Sequence, residues 1–118
     1  MNSSAAELAR RLVHAFGDPD AIGALLTDDA EWWITPTVGV LGSPSIGRAS
    51  ILESMRTIFG EIYEDLSVEV HHAVGDDEIG AVRITLRATV KVVGGKPLEN
   101  EYSVWVRRAG DRIDRVWE

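Results

Sequence analysis

The chain contains three histidines, His14, His71 and His72, and histidine is the residue type whose ordinary pKa lies closest to neutral pH. His72 lies on the apolar side of an alternating segment that predicts a core-facing β-strand, with Leu66, Val68, Val70 and Val74. A histidine in that position can act as a general acid or base, and a hydrogen-bonded histidine at the sheet edge is the structural alternative. His72 is therefore the first candidate catalytic residue, and His71 is expected to point the opposite way.

Tyr102 is the second candidate for catalysis, because its phenol can donate a hydrogen bond to a ligand oxygen. It alternates with polar residues on the same side as Val104 and Val106, which places it on the core face of a predicted strand. We expect it to serve as a hydroxyl or oxyanion donor, with His72 as the acid or base.

Apolar and aromatic side chains are the candidates for ligand contact. Trp32 and Trp33 are adjacent on a short predicted strand and must face opposite ways, and we favour Trp33 for the cavity. Trp117 shares its side of the last predicted strand with Ile113, which makes it a second wall candidate. Simple core filling is the alternative role for these tryptophans. Further candidate ligand contacts are Thr35, Met55 and Phe59.

The composition narrows the classes of function. The 118 residues include no cysteine, which excludes disulfides, thiol nucleophiles and thiolate metal sites. The net charge of -7 argues against nucleic-acid binding, and the histidine spacing matches no metal motif. No apolar run approaches the ~18 residues of a membrane span, and the first residues do not read as a signal peptide. We predict a cytoplasmic protein with no metal, no nucleic-acid partner and no membrane contact.

The order of predicted elements indicates a single α+β domain over residues 1–118. A capping box beginning at Ser4 opens a first helix, and Asp18 caps a second. A third helix over about Arg48–Tyr63 has the clearest apolar periodicity. One short strand over Glu31–Thr35 and four longer antiparallel strands complete the sheet. Three helices cannot fill the concave side of a curved sheet, so we expect a cavity of ~300 Å³ or more.

The outer face of the predicted sheet carries Arg83, Arg87 and Trp105. Arginines beside glutamates on neighbouring strands are typical of cross-strand ion pairs. An outward tryptophan instead indicates burial against another subunit. We therefore predict a homodimer through the outer sheet face.

Three segments carry a resemblance to the NTF2-like superfamily and, within it, to the SnoaL-like branch. They are LLTDDAEWW (residues 25–33), GRASI (47–51) and the end of the chain from GKPLENEY (95–102) through GDRI (110–113). The resemblance implies a cone, in which a curved antiparallel sheet wraps a long helix, two further helices precede it and a pocket opens at the wide end. Such proteins include ketosteroid isomerases, polyketide cyclases, epoxide hydrolases, dehydratases and non-catalytic modules, so the fold does not choose among them.

The resemblance argues against steroid isomerisation. By the resemblance, Thr35 occupies the position of the general base of ketosteroid isomerases, and Leu12 occupies the position of their oxyanion-binding tyrosine. A neutral Thr cannot accept a carbon-bound proton at ordinary pH, and Leu has no donor. Epoxide hydrolases of this kind need an Asp-Arg-Asp set, and one of those aspartates falls just beyond Glu118. Polyketide cyclases use a His and an Asp in the last strands, and no histidine stands there.

Two hypotheses of different classes follow. In the first, the chain binds a small apolar, cyclic or aromatic molecule and catalyses an isomerisation, cyclisation, dehydration or hydrolysis without a cofactor. In the second, it is a non-catalytic binding or dimerisation module. A titratable side chain in the cavity favours the first hypothesis, and a sealed cone with a covered outer face favours the second.

Overall fold

The computed structural model describes residues 4–34, 44–91 and 94–118. These residues form three α-helices and one curved six-stranded sheet, which confirms the α+β prediction. The helices are α1 (Ala5–His14), α2 (Pro19–Leu25) and α3 (Arg48–Thr57), and a π-helical turn (Ile58–Ile62) continues α3. The strands are β1 (Leu26–Trp33), β2 (Ser45–Ile46), β3 (Tyr63–Gly75), β4 (Ile79–Val90), β5 (Lys96–Ala109) and β6 (Arg112–Trp117).

The strand order in the sheet is β2-β1-β6-β5-β4-β3. Strands β3 to β6 form the predicted antiparallel meander, whereas β1 lies parallel to β6. The predicted start of β1 at Glu31 is wrong, because Leu26 already pairs with Ile113. The pairing of β1 with β6 shifts register between Leu26 and Glu31. The mostly polar residues in that interval, 27–30, do not alternate with apolar ones as a regular strand would, so the sequence alone indicates a helix end there.

The helices share the concave side of the sheet. α1 packs against β3, β4 and β5, and α3 packs against α2, β1 and β2. The predicted caps are confirmed: Ser4 Oγ accepts from the Glu7 N–H at 3.1 Å, and Asp18 Oδ1 accepts from the Ala21 N–H at 3.2 Å. α3 gives way to the π-helical turn before Tyr63, which is already the first residue of β3. Within the described residues, the helices are too short and too polar to cross a bilayer.

Side chains alternate between two faces along β4 and β5, and this alternation separates the core from the outer sheet face. The inward side chains of these two strands are buried in the core: Val82, Ile84, Leu86, Val104 and Val106. Arg83, Arg87 and Trp105 point outward and are exposed, as predicted. On β4 and β5 the outer face therefore carries the arginines Arg83 and Arg87 as well as the large apolar side chain of Trp105.

A β-bulge in β3 changes the orientation of the two histidines. Val70 pairs with Ile84, but His72 pairs with Arg83, so His71 is an extra residue in the ladder. His72 is consequently exposed on the outer face, where its Nδ1 accepts a hydrogen bond from Arg83 Nε at 3.3 Å. The prediction that His72 faces the core is wrong, because one inserted residue reverses the side on which every following residue lies.

Gly80 lies where α1 crosses the sheet, and a Cβ built on it would overlap the backbone carbonyl of Ala5. Both contact atoms belong to the backbone, so side-chain rearrangement cannot relieve the overlap. We expect Gly80→Ala to lower the free energy of unfolding by about 1 to 3 kcal/mol in urea unfolding. Gly60→Ala is the matched control, because outside its own stretch of chain no atom lies within 4 Å of its Cβ position, and its effect should stay within about 0.5 kcal/mol. Equal effects of the two variants would contradict this account of the packing.

Candidate functional site

A cavity of about 200 Å³ lies between the concave face of the sheet and the helical side. It is smaller than the ~300 Å³ expected from the sequence. Eight of the twelve lining residues are apolar, and the remaining four carry a polar terminal group. The apolar residues are Phe16, Trp32, Ile34, Met55, Ile58, Phe59, Leu86 and Leu98, and the polar ones are Tyr63, Asn100, Tyr102 and Glu118.

Three aromatic rings form one wall of the cavity. Phe16, just after α1, lies with its ring centroid 6.1 Å from that of Trp32 and 6.0 Å from that of Phe59. Both pairs are tilted, as is common for packed aromatic side chains. The π-helical turn supplies Phe59 together with Ile58, and α3 supplies Met55. The wall is apolar and aromatic, which suits a cyclic or aromatic ligand.

Glu118 provides the carboxyl group in the cavity lining. Trp32 Nε1 donates a hydrogen bond to Glu118 Oε1 at 2.8 Å, and the Glu118 N–H donates to the Trp33 carbonyl at 2.8 Å. These two bonds attach residue 118 to β1 by its side chain and by its backbone. Burial raises the pKa of the Glu118 carboxyl to about 7, and the Trp32 hydrogen bond only partly opposes this shift.

Tyr102 lines the same cavity from β5, on the side predicted from the sequence. Burial raises the pKa of its phenol, and the negative charge of Glu118 raises it further. The phenol therefore stays neutral at every ordinary pH and keeps its proton for donation to a ligand oxygen. Tyr63 and Asn100 supply further hydrogen-bonding groups at the lining.

This arrangement combines a carboxyl group that exists in both protonation states near neutral pH with a phenol that is a permanent donor. A group with a pKa near the working pH is effective as a general base or acid. A neutral donor nearby can stabilise negative charge that develops on a ligand oxygen. Among the residues that the structure describes, no three His, Asp or Glu side chains are close enough together to hold a metal ion.

The structure brings three of the sequence-predicted site residues to the cavity: Met55, Phe59 and Tyr102. It places Trp32 there instead of the favoured Trp33, which is 39% exposed on the outer face. That choice was wrong. The sequence shows that two adjacent tryptophans face opposite ways but not which of them faces inward, and the pairing of Trp32 with the buried Val116 shows that it is Trp32. Thr35 lies outside the described residues.

Trp117 also lies on the outer face and not in the cavity, contrary to the sequence prediction. A bulge explains the error: Arg107 pairs with Arg115 and Arg108 with Ile113, so Asp114 is an extra residue in β6. It reverses the alternation after Ile113, which turns Trp117 outward and Glu118 inward. His72 is likewise distant from the lining because of the bulge at His71.

Glu118 was not recognised in the sequence, although it is the central polar group of the cavity. Whether residue 118 points into the cavity depends on which side of the sheet the end of β6 faces. Ile113 and Trp117 are four residues apart, so an unbroken alternation would put both inward and Glu118 outward, which is wrong. The buried Val116, two residues before Glu118, marks the inward side correctly. The ion pair of Arg107 with Asp114, at 2.8 Å, holds the extra residue that shifts the register.

Comparisons with known proteins agree with this architecture. The family model of the SnoaL-like domain matches residues 9–116. Among curated proteins, no sequence match was found. A similar solved structure is an NTF2-like protein of unknown function from Burkholderia pseudomallei K96243, with 18% identity, a TM-score of 0.80 and coverage of 98% of this chain and 88% of that one.

Two further similar structures have names that refer to cyclisation. IdmH from Streptomyces antibioticus, a candidate polyketide cyclase, is 23% identical with a TM-score of 0.79, covering 98% of this chain and 90% of its own. A candidate SnoaL-like polyketide cyclase from Jannaschia sp. CCS1 is 14% identical with a TM-score of 0.79, covering 94% and 81%. These likenesses concern the fold, whereas the family match spans nearly the whole chain, and the chain therefore belongs to the SnoaL-like domain family.

Proposed function

We propose that this chain binds a small, mostly apolar molecule in the cavity and catalyses a proton transfer on it, with Glu118 as general base and acid. The single observation that carries the proposal is the Glu118 carboxyl group in a mostly apolar lining, fixed by the Trp32 indole at 2.8 Å. A carboxylate held in such surroundings is a stronger base than one in water, because burial disfavours its charged form.

The cavity supports a reaction that starts with removal of a proton next to a carbonyl group. In its ionised form Glu118 accepts the proton, and negative charge develops on the carbonyl oxygen. We assign the donation of a hydrogen bond to that oxygen to Tyr102, because it lines the same cavity. Return of the proton at another position completes an isomerisation. Alternatively, the carbanion attacks a second carbonyl, and the alkoxide that forms takes the proton back from Glu118 to complete a cyclisation. The cyclase names of two similar structures favour a carbonyl-bearing substrate that forms rings.

A non-catalytic binding module is the second candidate function. It is favoured by the predominance of apolar side chains in the lining, among which Glu118 is the carboxyl group. Such a module would use the Glu118 and Tyr102 groups only to orient a ligand. In the first candidate function the Glu118 carboxylate removes a proton from the bound molecule, and in the second it does not. A small test substrate that reacts when a base removes its proton therefore distinguishes the two.

We expect the protein to catalyse ring opening of 5-nitrobenzisoxazole, a small apolar bicycle. A base removes the proton from its ring carbon, the N–O bond breaks, and the electron pair leaves on oxygen to give a coloured cyanophenolate. The rate should rise with pH through about 7, as Glu118 ionises. Glu118→Gln should lower the rate by about 10²- to 10⁴-fold, measured by absorbance of the phenolate.

Glu53→Gln is the matched control, because Glu53 is an exposed carboxylate on α3 outside the lining, and its rate should equal that of the parent chain. Probe binding is followed separately through quenching of tryptophan fluorescence. Binding that survives in Glu118→Gln while turnover is lost supports a catalytic base. Binding without turnover in the parent chain instead supports the non-catalytic module.

The raised pKa of Glu118 also predicts a pH-dependent stability. Below about pH 3.5 the carboxyl is almost entirely neutral in both the folded and the unfolded chain, so it adds no penalty. As pH rises from about 4.5 towards 7, the unfolded chain ionises first and the free energy of unfolding falls. Urea unfolding should show Glu118→Gln gaining about 1 to 3 kcal/mol over the parent chain between about pH 4 and pH 8. A pH-independent difference would contradict the burial of this carboxyl, and Glu53→Gln serves again as the control.

A further inference from the structure

The inward face of β5 changes from apolar to polar as the strand leaves the core. Val104 and Val106 are fully buried on this face, whereas Tyr102 is partly buried and Asn100 is exposed although it lines the cavity. Exposure therefore increases along one face of one strand, from Val104 to Asn100. Asn100 consequently lies at the solvent-exposed rim of the cavity, and Tyr102 lies deeper inside it.

The Asn100 side chain points inward from an apolar part of the sheet. Asn100 pairs with Leu86 of β4, which is buried and lines the same cavity. Paired residues of neighbouring antiparallel strands point to the same side of a sheet, so Asn100 shares the inward side of Leu86. Leu98, the next inward residue along β5, also lines the cavity. The Asn100 amide thus has one apolar neighbour across the strand pair and another along its own strand.

The Asn100 amide has hydrogen-bonding groups that the protein does not use. Within residues 4–34, 44–91 and 94–118, its side chain makes no hydrogen bond to another residue. A side-chain amide offers one acceptor oxygen and two N–H donors. Apolar packing would favour leucine or valine at this position, as at the inward positions 98, 104 and 106 of the same strand. The amide is therefore available to hydrogen-bond a molecule in the cavity.

The two polar side chains of β5 have a defined spacing. Residues two apart on an antiparallel strand are separated by about 7 Å, so Tyr102 and Asn100 mark two points on a line from the interior to the rim. Glu118 belongs to the inner point, because its charge acts on the Tyr102 phenol and raises its pKa. A benzene ring with substituents at its two opposite carbons separates two carbonyl groups by a similar distance.

We propose that Asn100 determines the substrate specificity of the cavity by hydrogen-bonding a second polar group, about 7 Å from the carbonyl group that Tyr102 binds. That group is uncharged and amide-like, because the Asn100 amide complements both a donor and an acceptor and its apolar neighbours disfavour a charge. The substrate class is therefore an apolar ring with a ketone at its inner end and an amide-like group at the rim. The inference rests on the proposed function, of which it names the substrate class.

A matched pair of ligands tests Asn100 by isothermal titration calorimetry. 4-Acetylbenzamide carries an acetyl group for Tyr102 and an amide at the opposite end of its ring, and 4-isopropylacetophenone replaces that amide by an apolar group of the same shape. The ratio of their dissociation constants, isopropyl compound over amide compound, should fall by about 10-fold or more from the parent chain to Asn100→Leu. Leucine leaves the ligand amide without its partner, and it packs better against the isopropyl group.

Three variants serve as controls. Ser103→Leu introduces the same side chain at an exposed position on the opposite face of β5. Tyr63→Phe removes another hydrogen-bonding group from the lining, and Glu118→Gln removes the proposed base. The ratio should keep its parent value in all three, because each of them retains the Asn100 amide. Asn100→Ala, a second variant without the amide, replaces Asn100→Leu if circular dichroism shows that the leucine variant does not fold.

A ratio in Asn100→Leu within about twofold of the parent value would overturn the inference, as would a parent chain that binds neither compound. An equal fall of the ratio in Tyr63→Phe would also overturn it, because the specificity would then belong to Tyr63. Turnover of 5-nitrobenzisoxazole reports separately on the proposed function. A ratio that depends on Asn100 in a chain without turnover supports the specificity and rejects the catalytic base, whereas turnover without such a ratio does the reverse.

Discussion

The hydrogen bond from the Trp32 indole to the Glu118 carboxyl is the interaction on which the candidate site depends. It puts a group that favours water into a cavity walled by aromatic rings, and it specifies where that group must point. The bond is available only because β1 and β6 lie side by side, which aligns Trp32 with Val116 and brings residue 118 past the end of the pair. Without it, the buried carboxyl would lose the donor that favours its ionised form.

The ends of β1 and β6 carry side chains of both the cavity and the outer face of the sheet. Trp32 and Glu118 point into the cavity, while their chain neighbours Trp33 and Trp117 point to the outer face. The hydrogen bond from the Glu118 N–H to the Trp33 carbonyl joins the two sides at a single peptide. The backbone that positions the carboxyl in the cavity is therefore also the backbone that holds Trp33 and Trp117 on the outer face.

Sequence reasoning succeeded where a local pattern decides the structure. Helix caps at Ser4 and Asp18, the apolar face of α3 and the alternation along β4 and β5 all follow from short-range physics. The family was identified from a resemblance of three sequence segments, and the family model confirms it. It failed for His72 and Trp117, each of which follows a bulge. An inserted residue has no signature in an alternating pattern, because only the partner strand shows which residue is extra. Glu118 was missed for this reason.

The parallel pairing of β1 with β6 has a consequence for the order in which the chain folds and opens. The meander of β3 to β6 forms through short connections, but the Trp32–Glu118 contact closes a loop of 86 residues. Closing a loop of that length costs entropy, which opposes early formation of the contact. We therefore expect the seam, meaning the pairing of β1 with β6 and the Trp32–Glu118 hydrogen bond, to be absent from the folding transition state. Weakening it should then accelerate unfolding and leave the folding rate almost unchanged. The seam would also be the first part of the sheet to exchange its amide hydrogens with solvent, and a ligand could enter the cavity along that route.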